Sequence, residues 1–130
     1  MTGQTSAHGR KADEPTAEQP VSRAVLLDAR MDAVRDVARV EIREIAMLAG
    51  HAAGLHVHNG PVVGSILSGT VTYQVEGQPP ALLGPGDVFF EPEAERIARF
   101  DAGEEDLRFL AYFLLSAGQE AQLTMLAEPS

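Results

Sequence analysis

Between Gly54 and Leu115 the chain is cut into short apolar stretches by glycine, proline, asparagine and aspartate. "GLHVH" gives way to "NGP", and "VVGSILSG" closes on Gly69. "TVTYQVEG" then alternates Val71, Tyr73 and Val75 with Thr70, Thr72 and Gln74. "QPPALLGPGD" reads as a turn-rich connection, "VFFEP" stops at Pro92, and "RIARFDA" and "DLRFLAYFLLSAG" follow as two more runs. Runs this short, alternating with a period of two and bounded by turn residues, are strands half buried in a sheet. Upstream, "VARVEIREIAML" alternates in the same way and predicts a strand from about Ala38 to Leu48, preceded by a loop or short helix near 31–36. The expected architecture is an all-β barrel or sandwich. The final stretch, "QEAQLTMLAEPS", carries helix formers and reads as a short terminal helix or an extended tail.

Composition sets the boundaries of that unit. The 130 residues suffice for one domain with a real core. Residues 1–20 hold no aliphatic side chain larger than alanine after Met1 and cannot offset their ordering entropy by burial, so they are expected to be a disordered tail carrying a solvated His8. The folded barrel is expected over 21–130, beginning near "VSRAVLLDA", an apolar run that could extend as a strand into another sheet.

Charge and residue usage exclude several functions. A formal charge of −9, with arginines scattered rather than clustered, argues against nucleic acid and anionic membrane as partners. The absence of cysteine removes disulfides, thiolate ligands and cysteine nucleophiles together. No apolar run approaches the roughly 20 residues of a transmembrane helix, and the N-terminal stretch lacks the apolar segment of a secretory signal, so a cytoplasmic location is expected. "GPVVGSILSG" lies between strands instead of opening a helix, which rules out a dinucleotide fingerprint.

The chemistry concentrates in one place. His56 and His58 stand one residue apart and on a strand would point to the same face, which is how a barrel begins a metal site or an acid–base pair. His51 lies in a glycine-flanked turn. Tyr73 and Tyr112 sit on apolar strands and are core residues by default, and Phe89, Phe90, Phe109 and Phe113 are core or interface residues.

"HVHNGPVVGSILSGTVTYQVEG" followed by "LGPGDVFFEPE" resembles the cupin superfamily, small double-stranded β-helix (jelly-roll) barrels. Gly54, His56, His58, Gly60 and Gly69 follow the first motif of that family, and Gly86 and Pro92 follow the second. The likeness covers roughly residues 38–118. It implies three histidines and a carboxylate around a divalent ion, or a smaller set close to two histidines and one carboxylate, and two of the full four are missing. Val62 stands at the glutamate position, and Ile97, or Ala98 if the turn is one residue longer, stands at the last histidine; the motif's second glycine is Ala94.

Three functions stay open on these residues. The first is a small-molecule enzyme of the isomerase, dehydratase or cyclase type. In it His56, His58 and Glu91 are the catalytic set, with Tyr73, Gln74, Phe89, Arg96 and Arg99 touching the ligand. The second is a barrel that binds or senses a small organic ligand without turnover, and the third is a reduced, dioxygenase-like metal site built on His56 and His58. No cofactor is required by the sequence, and a weakly held divalent metal (Zn, Fe, Ni or Mn) is the one the resemblance implies. Glu91 is the best carboxylate to complete such a site and His51 the best imidazole. The resemblance also implies pairing through sheet edges and an N-terminal strand, for which "RAVLLDA" would serve, hence a homodimer.

Overall fold

The computed structural model describes residues 12–31 and 35–127. Nine strands follow in order: β1 (Arg39–Met47), β2 (His56–His58), β3 (Val62–Ser68), β4 (Val71–Val75), β5 (Ala81–Leu83), β6 (Val88–Glu91), β7 (Ile97–Ala102), β8 (Leu107–Leu115) and β9 (Leu123–Met125). They form two antiparallel sheets, one in the order β1-β8-β3-β6 and the other β5-β4-β7-β2-β9. This is the all-β architecture that the punctuation predicted, with the two sheets that the resemblance implied. Among the described residues there is no helix.

Two short strands were not expected from the sequence. β5 lies inside "QPPALLGPGD", where only three residues pair with β4. β9 occupies the C-terminal stretch expected as a helix or tail, because pairing with β2 satisfies its backbone. Of the loop or helix expected near 31–36, residues 32–34 lie outside the described residues, as does His8. The "VSRAVLLDA" run forms no strand within this chain, and Val21, Val25 and Leu26 are exposed.

The alternation in sequence becomes the alternation of faces. Along β8, Leu107, Phe109, Ala111, Phe113 and Leu115 are buried while the residues between them are not. β4 turns Val71, Tyr73 and Val75 inward, and β3 turns Val62, Gly64 and Ile66. Tyr112, by the same parity, is half-buried on the outer face of its sheet rather than in the core. A knot of rings fills part of the interior: Phe89 packs against Phe100 at 5.2 Å and Phe109 at 5.9 Å between ring centres, and Tyr73 against both Phe89 and Phe100. Gly64 makes this possible, since a Cβ there would meet Phe89 Cζ at 2.2 Å and the Leu110 carbonyl oxygen at 2.5 Å. Beside the rings, the interior holds a cavity.

Candidate functional site

The short strand β2 carries His56 and His58 on its inner face, where its alternating neighbours on other strands are apolar. Glu91 ends β6 with the parity of the buried Phe89, so it too points inward. The three residues are 2%, 8% and 5% exposed, respectively, and are the only buried charged or imidazole groups among the described residues. Burial of an unpaired carboxylate costs several kcal/mol, so the fold tolerates this group only against strong compensation.

That compensation is mutual. His56 Nε2 lies 3.4 Å from Glu91 Oε2, and His58 Nε2 lies 3.4 Å from Glu91 Oε1. The two imidazoles stand edge to face with their centres 5.1 Å apart. Burial alone would lower the His56 pKa, yet the adjacent Glu91 carboxylate and the Gly54 carbonyl outweigh it and hold the pKa above its ordinary value. Burial likewise works to raise Glu91, and the two histidines together overcome it and leave the carboxyl below the usual range. Even so, His58 Nε2 and Glu91 Oε2 make no hydrogen bond.

The first turn of the site sets the tautomer of His56. Gly54 has φ +85°, a conformation open to glycine at little cost, and its carbonyl oxygen accepts a hydrogen bond of 2.7 Å from Nδ1 of His56. With Nδ1 protonated, the neutral ring turns its Nε2 lone pair toward Glu91. A ligating histidine held by a backbone carbonyl has this same arrangement.

The residues present fit a divalent metal. Two imidazole nitrogens and a carboxylate oxygen lie within 4.8 Å of one another. With bonds of 2.0–2.1 Å, the edge of a tetrahedral site is about 3.4 Å, and each histidine Nε2 stands that far from one of the two carboxylate oxygens, His56 from Oε2 and His58 from Oε1. The atoms without partners are ones a cation would satisfy. His51, the other imidazole considered, is exposed in its turn and takes no part.

The cluster opens onto a cavity of about 210 Å³, walled on its apolar sides by Ile45, Met47, Phe100, Phe109, Ala111 and Phe113. Val62 lines it too, so the glutamate position of the resembled motif faces the site but offers only methyl groups. Ile97, at the missing histidine, pairs with His56 on the adjacent strand and is fully buried.

The five residues expected to touch a ligand do not line this cavity. Phe89 and Tyr73 belong to the ring cluster of the core. The Tyr73 hydroxyl donates to the carbonyl of Phe90, one residue before Glu91, and burial with the Glu91 charge nearby drives its pKa far up. Tyr73 therefore braces β6 rather than a ligand. Gln74 has the outward parity of β4 and donates to the Gln78 carbonyl. Arg96 sits in the rebuilt turn and pairs at the surface with Glu76 at 2.8 Å, while the bulge in β7 leaves Arg99 exposed.

Conversely, the cavity contains Arg43, which the motifs did not indicate. The available signal was parity: in "VEIREIAM", Arg43 shares a face with Ile45 and Met47.

Compared by sequence with models of known protein families and with the curated proteins, the chain matches none. Compared by structure, it is similar to the DMSP lyase DddQ from Ruegeria pomeroyi DSS-3, with a TM-score of 0.59 and 24% identity, over 70% of this chain and 44% of that one. The polyketide cyclase RemF from Streptomyces resistomycificus is similar at a TM-score of 0.54 and 18% identity, over 72% and 65% of the two chains. A cupin-like protein from Thermotoga maritima msb8 is similar at 0.54 and 19%, over 66% and 65%. The chain thus spans less than half the length of the lyase and just under two thirds of the other two.

Proposed function

Proceeding from a chain with the double-stranded β-helix fold of the cupin-like proteins, we propose that it is a small-molecule enzyme of the isomerase, dehydratase or cyclase type whose His56, His58 and Glu91 hold one divalent metal ion. The observation that carries this reading is the convergence of three buried ligating groups, two of whose atoms have no hydrogen-bond partner. A divalent ion there would act as a Lewis acid toward a carbonyl or carboxylate oxygen of the substrate. The chain's own residues do the remainder. Gly54 fixes the His56 tautomer, Tyr73 braces the strand that presents Glu91, and the apolar walls strengthen the charge interactions at the buried end of the cavity. Neighbours of this fold that are a lyase and a cyclase support turnover of a small organic molecule.

A second reading is favoured by the raised His56 pKa. In it the same trio works without a metal: Glu91 favours the protonated form of His56, the acid, and His58 Nε2, free of any hydrogen bond, is the base.

Metal content separates the two. Protein stripped with a chelator and titrated with Zn²⁺, Ni²⁺, Mn²⁺ or Fe²⁺ is expected to take up about one equivalent, and His56→Ala and Glu91→Gln to lose it. Less than about a tenth of an equivalent after supplementation would overturn the metal reading and leave the acid–base one.

A further inference from the structure

We propose that Arg43 is a specificity-determining residue, and that the cavity takes a small monocarboxylate with its carboxylate on Arg43 and its carbon skeleton toward His58. This rests on reading the cavity as a substrate site, as above.

Among the described residues, Arg43 is the only lysine or arginine that lines the cavity. Its position follows from the ladder: on β1 it pairs with Ala111 of β8, and both face inward toward the hollow. Its guanidinium carbon stands 4.9 Å above the centre of the Phe113 ring, and Phe113 in turn meets the His58 ring at 6.2 Å. One aromatic ring therefore separates the cation from the candidate reaction centre. The side chain is 47% exposed whereas the trio is buried, so the cavity runs from a solvent-side cation to a buried cluster.

Structural duties account for only part of this side chain. Glu41, two residues back on the same face, accepts a hydrogen bond from Nε. The stacking on Phe113 holds the guanidinium plane. Nη1 and Nη2 have no partner among the described residues. Two adjacent N–H donors on a planar cation, prevented from swinging by a ring below and a carboxylate behind, suit bidentate capture of a carboxylate.

The apolar walls set the rest of the ligand. They offer carbon contacts and few polar partners, so a molecule with several hydroxyl groups would leave them unsatisfied. The volume of about 210 Å³ exceeds the roughly 150 Å³ that admits benzene, which limits the occupant to a compact acid.

Benzoate and hexanoate, with benzamide and hexanamide as neutral counterparts, test this by calorimetry on metal-loaded and chelator-treated protein. The acids are expected to bind more tightly than the amides. Arg43→Met should weaken the acids about tenfold or more while leaving the amides unchanged, and Arg43→Lys should restore part of the difference. Equal binding of acid and amide, acid binding untouched by Arg43→Met, or no binding of either would overturn the proposal. Acid binding that survives Arg43→Met but vanishes with chelation or in His58→Ala would place the carboxylate on the metal, so this proposal would fail while the metal reading stood. Arg43-dependent acid binding to a protein that never takes up metal would uphold the proposal and overturn the metal reading.

Discussion

Val62 on β3 and Glu91 on β6 are paired directly across an antiparallel ladder, and both line the cavity. Residues so paired share a face, with Cβ atoms about 4.5–5.5 Å apart. The carboxylate that the resembled motif places on β3 is therefore supplied one strand over. The site gains an acid from Glu91 at nearly the place where Val62 fails to provide one.

This relationship predicts a rescue. Glu91→Val is expected to weaken Zn²⁺ binding by about 100-fold or more, and adding Val62→Glu should recover most of that loss. Competition titration with a chelating dye measures both. A double variant as weak as Glu91→Val would mean that the two positions are not equivalent around the site.

The metal-free protein should show a stability optimum in mildly acid solution. His56 has a raised pKa when folded, so its contribution is complete below its ordinary 6.5 and is lost as pH rises through the folded value. Glu91 has a lowered pKa, so its contribution is present above 4.5 and is lost as pH falls through the folded value. The urea midpoint of wild type minus that of Glu91→Gln should therefore be largest between these two values and fall on both sides. Zn²⁺ should lift the alkaline flank, because the ion needs the neutral ring. Parallel profiles for the two proteins would show that the trio is not coupled.

Ala94 predicts a stabilising substitution. It has φ +63°, the only such angle at a non-glycine among the described residues, in the turn whose amide donates to the His58 carbonyl. A left-handed alanine costs about 1–2 kcal/mol, and glycine relieves that strain while losing part of the gain to unfolded-state entropy. Ala94→Gly is expected to add roughly 0.5–1 kcal/mol in urea denaturation. An unchanged or lower midpoint would refute the strain.

Filling the hollow should separate ligand from metal. Ala111 is 1% exposed, faces the cavity and lies between Arg43 and Gly64 in the ladder. Ala111→Leu should abolish benzene binding, observed by ligand NMR, at a cost of no more than about 3 kcal/mol. Zn²⁺ affinity should stay within a few-fold of wild type. Retained benzene binding would show that the cavity lies elsewhere.

The strands of the barrel were legible because alternation is a local property. "LRFLAYFLL" and "VTYQV" state their inner and outer faces in their own order, and His56 and His58 inherit a common face from the same rule. β5 and β9 were not legible, since three-residue strands hold their shape through partners distant in sequence. Glu91 stood out as the best carboxylate, although "DVFFEP" leaves its inward turn undecided. Arg96 and Arg99 were expected to touch the ligand, yet the surface pairing of one and the bulge beneath the other carry both away from the cavity.

By itself, then, the sequence determined the all-β architecture and the shared face of the histidine pair, while the loss of two ligands was only what the resemblance implied. The first two are written in residue identity and a period of two. Only the tertiary structure decided that Glu91 meets both imidazoles, that Tyr73 braces its strand, and that Arg43 shares the cavity. Those contacts join strands far apart in the chain, and which strands become neighbours is settled by the ladder and the packing of two sheets, not by any local pattern.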